Sequence, residues 1–203
     1  MTDRRLVLAT GNQGKLREYE ELLGPAGYEI VPCATEVEEA GSTYAENATL
    51  KALAALAATG LPSLGDDSGI EVDALGGFPG LRSARLGPTQ VERTATLLEM
   101  LANEPRPWTA RFTCTIALAA PGEAVRTVDG ERRGEVVPEW RGEAGFGYDP
   151  VFLVAEVGLT FGQMDRATKH RWSHRGAAIR ALLDSGWLSP ELRELPDPPA
   201  DPR

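Results

Sequence analysis

Residues 6–16 read LVLATGNQGKL: a short apolar strand, a glycine turn, and the start of a helix. The apolar positions Leu16, Tyr19, Leu22 and Leu23 recur at helical spacing until Gly24 and Pro25 stop the pattern. A strand that feeds a helix through a glycine turn is the opening of a βα unit, from which α/β proteins are built. A second unit follows. Residues 28–33 (YEIVPC) read as a strand, and Thr43 and Glu46 fit a capping box at the head of an Ala/Leu-rich helix reaching about residue 58.

Further along, strand-like residues flank GDDSG at 65–69, the Gly/Pro-rich stretch 75–80 (LGGFPG) reads as a tight loop, and residues 89–101 as a helix. Residues 110–120 (ARFTCTIALAA) and 124–137 alternate or run apolar on either side of Pro121 and Gly122, which predicts a long antiparallel hairpin rather than more βαβ units. A mixed sheet follows from that. After a loop at 142–150, PVFLV (150–154) reads as a strand and helical pattern continues through Lys169. Ser173 caps a last helix with Ala178, Ile179, Leu182 and Leu183 on one apolar face. The expected organisation is a single domain over 1–188 and a proline-rich, acidic, disordered tail over 189–203.

Composition narrows the function classes. A chain of 203 residues, 42% hydrophobic, can bury the core of one good-sized domain. A net charge of −9 argues against a protein that grips duplex nucleic acid through its overall field, so an anionic ligand must be met by a local basic pocket. No apolar run approaches the ~20 residues of a membrane span and no signal-peptide core is present, so no membrane partner and a cytoplasmic location are expected. Two cysteines, Cys33 and Cys114, are too few for a disulfide framework and read as small buried apolar residues; two histidines exclude a His-cluster metal site and leave carboxylates as metal ligands. Lys15, Lys51 and Lys169 are the only lysines among 21 basic residues. In a chain that uses arginine for ordinary surface charge, they stand where a compact ammonium is wanted, as against a phosphate.

Five places could carry chemistry. Thr10, Gly11, Asn12, Gln13, Gly14 and Lys15 lie where a strand ends and a helix begins, a setting that favours phosphate, although the spacing is not that of a Walker loop. Asp66 and Asp67 read as adjacent carboxylates near a strand end, with Gly69 letting the backbone turn closely. Side chains of neighbouring strand residues point to opposite faces, so one carboxylate can face a site while the other braces the backbone. Glu36, Glu38 and Glu39 precede the helix on which Asn47 and Lys51 share a face; an acid of this loop can bind metal while Lys51 meets phosphate. Phe146, Gly147, Tyr148 and Asp149 offer two aromatics on one side of an extended segment, a platform for a planar base. Ser173, His174 and Arg175 open the final helix, where cations oppose the macrodipole and therefore need a ligand to explain them. Taken singly, each also has an ordinary structural reading: a helix cap, an Asx turn, a solvated acidic loop, two core aromatics.

Together the ordered motifs TGNxGK, ExGxTYxENAxxKA, DDSG, LGGFPGLRSAR, FGYDP and KxxxSHRG, spanning roughly residues 5–185, resemble the noncanonical purine nucleoside triphosphate pyrophosphatase family, the inosine/xanthosine triphosphate or dITP/XTP pyrophosphatases. The resemblance implies an elongated α/β fold with a mixed central sheet flanked by helices, two lobes around a central cleft, and a homodimer. It implies hydrolysis of the α–β phosphoanhydride bond of ITP, dITP and XTP with Mg²⁺. Carried onto this chain, Asp67 is the catalytic carboxylate and a metal ligand, Glu39 the second ligand, and Ser68 lies close to the substrate. Residues 10–15, Lys51 and Lys169 hold the triphosphate, while Phe146, Gly147, Tyr148, Asp149, His174 and Arg175 form the base pocket. The nearest rival enzyme, a septum-formation-related nucleotide pyrophosphatase, does not carry the FGYDP and SHRG pair, and a nucleotide sensor would not need Asp67.

Overall fold

The computed structural model describes residues 4–34 and 37–188; Glu36 and the expected tail over 189–203 lie outside the described residues. The fold is α/β. Strand β1 (Arg4–Ala9) leads into helix α1 (Gln13–Leu23), strand β2 (Tyr28–Cys33) into helix α2 (Tyr44–Thr59), and then comes β3 (Ser63–Val72). Helix α3 (Gln90–Leu101) precedes β4 (Trp108–Ala119) and β5 (Arg126–Val136); β6 (Phe152–Val154), β7 (Leu159–Thr160), α4 (Arg166–Trp172) and α5 (His174–Asp184) complete the order. The sheet runs β2-β1-β3-β4-β5-β6-β7. It is mixed as expected, because β1 pairs in parallel with β2 and β3 while β6 pairs antiparallel with β5 and β7.

Three expectations fail. GDDSG is not at a strand end: Asp66, Asp67, Ser68 and Gly69 lie inside the ten-residue β3, which continues to Val72. The pairing of β1 stops at Ala9 opposite Gly65, so what ends there is the neighbour and not β3 itself. The helical pattern expected up to Lys169 is also broken, by β7, a 3-10 turn (Phe161–Gln163) and a fresh helix start at Asp165, whose carboxylate accepts the Thr168 N–H at 2.7 Å. Likewise only Phe152–Val154 of PVFLV is strand, since Asp149–Val151 forms a 3-10 turn.

The chain divides into two compact units, Met1–Asp67 with Thr115–Val128 and Ile179–Arg203, and Ser68–Cys114 with Asp129–Ala178. In the first, α1 follows a step from β1 to β2 and α2 a step back past β1 to β3. Right-handed crossovers in opposite directions put the two helices on opposite faces. The α2 face is built from small residues: Ala48 and Ala52 pack with Ala117 and Ala119, and Ala55 with Val7 and Ala9. At Gly65 a Cβ would collide with the Ala48 carbonyl, so glycine is what lets α2 lie close upon β3. The second unit has an apolar core in which Ile70, Leu97, Leu101, Phe112, Phe152 and Phe161 are buried. Cys114 is buried as expected, whereas Cys33 is only partly so, and neither is in a disulfide. No helix among the described residues is long and apolar enough to cross a membrane.

Candidate functional site

In the first unit the site begins where β1 stops short of β3. The segment 10–15 is level with Asp66 and Asp67, because Ala9 pairs with Gly65. Thr10 Oγ1 accepts the Asn12 N–H at 3.1 Å, and Asn12 Oδ1 accepts the Gly14 and Lys15 N–H groups at 2.8 and 3.2 Å, which caps α1. Gly11, Asn12 and Gln13 are exposed at its head. From the first turn Lys15 reaches across to Asp66 Oδ1 at 2.6 Å, and one turn later the Tyr19 hydroxyl donates to Asp66 Oδ2 at 3.0 Å. Asp66 is thus the bracing carboxylate, and it braces a lysine.

Asp67 faces the other way, onto α2. Asn47 and Lys51, four residues apart on one face, both reach it: Asn47 Nδ2 donates to Oδ2 at 3.2 Å and Lys51 Nζ lies 2.8 Å from Oδ1. The same ammonium is 2.7 Å from Glu39 Oε1, so an oxygen of each carboxylate converges on one cation. Burial works against the charged lysine, but Asp67 and Glu39 outweigh it and hold Lys51 above its ordinary value. Asp67 is itself raised, first by burial, which Lys51 and Lys15 offset only in part while the Glu39 charge adds to it. The asymmetry has a simple cause: Lys51 has two carboxylates, whereas Asp67 must share its lysine with a like charge.

Around these residues three carboxylates stand against two ammoniums, so a polyphosphate entering alone would meet net negative charge. A divalent cation would change that sign. Among the described residues no group of three or more His, Cys, Asp or Glu side chains is placed to hold a metal, so Glu39 and Asp67 are the pair that could do so with a ligand's oxygens completing the shell.

In the second unit Ser173 ends α4 and begins α5: its N–H donates to the Lys169 carbonyl and its hydroxyl accepts the Gly176 N–H at 3.0 Å. This junction presents Lys169, His174 and Arg175 together. Arg175, 2% exposed, donates from Nη2 to Ser68 Oγ at 2.9 Å and sets its guanidinium 5.6 Å from the Phe146 ring centroid. Lys169 Nζ is 4.7 Å from the same centroid and 2.6 Å from Asp149 Oδ2. Asp149 Oδ2 also accepts the Phe146 N–H at 2.6 Å, fixing the turn. His174 stacks on Phe112 at 4.6 Å.

The paired aromatic platform is corrected. Gly147 has a φ of +64°, so residues 146–148 are a turn and not extended, and the two rings part company. Tyr148 is 4% exposed, packs in the core, and donates its hydroxyl to the Ser83 carbonyl at 2.7 Å, leaving Phe146 as the aromatic beside the cations. Sequence reasoning had not singled out Tyr19, whose position one turn after Lys15 was the available signal, and it named Asn47 only as a neighbour of Lys51.

A family model matches residues 6–185, and its description is the Ham1 family. The chain belongs to the Ham1 family. Among Ham1-type relatives, the dITP/XTP pyrophosphatase of Gloeobacter violaceus is 52% identical over 182 residues, covering 89% of this chain and 93% of that protein. The dITP/XTP pyrophosphatase of Desulforamulus reducens is 47% identical over 189 residues, covering 89% and 94%. In structure the chain is similar to a HAM1 protein from Coxiella burnetii, with a TM-score of 0.80 and 38% identity over 90% of this chain and 98% of that one.

Proposed function

We propose that this Ham1-family chain hydrolyses the α–β phosphoanhydride bond of ITP, dITP and XTP, releasing the nucleoside monophosphate and pyrophosphate and so clearing these nucleotides from the pool. The observation that carries the reading is the convergence of Glu39 and Asp67 on the Lys51 ammonium, at 2.7 and 2.8 Å. Two carboxylate oxygens already aimed at one cation suit Mg²⁺, which takes one or two carboxylates and substrate phosphate oxygens. When bound, Mg²⁺ would neutralise phosphate oxygens that otherwise repel an attacking water.

The remaining work falls to the chain. Lys15, Lys51 and Lys169 hold phosphate oxygens, with Asp66 keeping Lys15 in place and Asp149 keeping Lys169. Asp67 orients the attacking water and takes its proton. Phosphorus–oxygen bond formation by the water and cleavage to the bridging oxygen then give the two products. At the base end Phe146 supplies a stacking face, while Arg175 and His174 offer donors to the 6-keto oxygen that hypoxanthine and xanthine carry and adenine lacks. The homodimer implied by the resemblance belongs to the same proposal; sedimentation at one chain mass would refute that part.

Pyrophosphate release with Mg²⁺, assayed across ITP, XTP, dITP, GTP, ATP and dTTP, tests the reading. Turnover of the first three well above the others, with monophosphate and pyrophosphate as products, is expected. Release of orthophosphate, or no preference among the bases, would overturn it.

A further inference from the structure

Asn47 is 2% exposed, and both ends of its amide are used. Oδ1 accepts the Gly41 N–H at 2.9 Å and Nδ2 donates to Asp67 Oδ2 at 3.2 Å. The orientation is set by chemistry, since only the carbonyl end can meet an N–H and only the NH₂ end can meet a carboxylate. Gly41 is two residues from Glu39 along the same loop. One side chain therefore ties the segment that carries one acid to the carboxylate of the other.

The tie is stiff at each attachment. Asn47 stands in the first turn of α2, where Thr43 and Glu46 form a capping box and Glu46 Oε2 also accepts the Ser42 N–H at 2.6 Å. A Cβ on Gly41 would come within 2.6 Å of Asn47 Oδ1, so the loop lies directly against the amide. On the other side, Asn47 occupies Asp67 Oδ2 and leaves Oδ1 directed to Lys51, the atom that also contacts Glu39. Without that bond the carboxylate could rotate its lone pairs away from the shared cation position.

We infer that Asn47 is a positioning residue that presents Glu39 and Asp67 to a divalent cation in a fixed mutual geometry. The inference rests on the proposal that these two acids hold the metal. Groups that orient metal ligands typically change metal affinity by ~10–100-fold when removed.

Two variants separate positioning from a plain loop tether. Asn47→Ala loses both bonds. Asn47→Asp keeps an acceptor for the Gly41 N–H but turns an oxygen toward Asp67 Oδ2 in place of a donor. Mg²⁺ titrated calorimetrically into the nucleotide-free protein, with thermal melting run alongside, is expected to bind at least ~10-fold more weakly to both variants than to the parent. Parental affinity in Asn47→Asp, or a lower melting temperature with unchanged affinity, would overturn the inference and reduce Asn47 to a tether. Glu39→Gln and Asp67→Asn serve as controls. If these bind Mg²⁺ like the parent, or if the parent takes up none, the metal assignment fails and the inference with it. If they lose binding while the Asn47 variants keep it, the inference alone fails.

Discussion

At the scale of single residues, each of the three lysines is held by an aspartate: Lys15 by Asp66, Lys51 by Asp67 and Lys169 by Asp149. Such pairs do little for stability, because desolvating both charges offsets most of their attraction. Their value is placement. Asp67→Asn preserves the shape of its surroundings but removes the charge that the proposed mechanism gives to metal and to the water's proton; we expect turnover of ITP to fall by ~10²-fold or more with nucleotide binding retained. Turnover near the parental rate, with kcat and equilibrium binding both measured, would remove Asp67 from the mechanism. Tyr148 supplies a pH test of a buried hydroxyl. Burial pushes its phenol up to about 12, against an ordinary value near 10, so the neutral form is favoured in the fold. That stability is fully present below pH ~10 and is lost as pH rises toward 12. Tyr148→Phe should cost about 1 kcal/mol at pH 8, through the lost bond to Ser83, and the gap should close as pH rises above ~10 in denaturant melts. A gap independent of pH would contradict the burial argument.

At the scale of elements, α2 carries the Asn47 and Lys51 of the proposed site, and Gly65 sets its distance from β3. Gly65→Ala should force the helix outward, at ~1–3 kcal/mol. Because Asn47 and Lys51 move with the helix, turnover should fall further than the stability loss alone explains. A variant with a lowered melting temperature and parental kcat would show that the helix position is not critical. This element was legible in the sequence: its capping box and alanine face announce it, as LVLAT and YEIVPC announce β1 and β2. The interior placement of the acidic pair was less so, because two aspartates between glycines look like a turn and only pairing with distant strands keeps them extended. Residues 155–164 carry apolar positions compatible with more than one spacing, and the cap at Asp165 was the overlooked signal that a new helix starts there. Gly147 decided the fate of the two aromatics through a positive φ that no alternation pattern records. Which lysine meets which aspartate is a long-range fact, with Lys15 and Asp66 51 residues apart.

At the scale of the whole molecule, the residues of the proposed function come from both units. Lys15, Glu39, Lys51 and Asp67 belong to the first, and Phe146, Lys169, His174 and Arg175 to the second. On the proposed function, the first set and Lys169 meet the triphosphate, which every nucleotide shares, while Phe146, His174 and Arg175 meet the base, which differs. A lost phosphate contact should therefore raise the barrier for all nucleotides alike, whereas a lost base contact should raise it only for those that make the contact. Lys15→Ala is expected to lower kcat/KM for ITP and for ATP by similar factors, leaving their ratio near the parental one. Arg175 is deeply buried, so Arg175→Lys, which keeps charge and most of the volume but not the planar fork, is the better probe than alanine. Removing a donor matched to the 6-keto oxygen leaves adenine, which never used it, less affected, and the ratio of ITP to ATP should narrow by ~10-fold or more. Both kcat/KM values for both nucleotides in the two variants complete the comparison. If Lys15→Ala shifts the ratio and Arg175→Lys does not, the assignment of Lys15 to phosphate and Arg175 to the base is wrong.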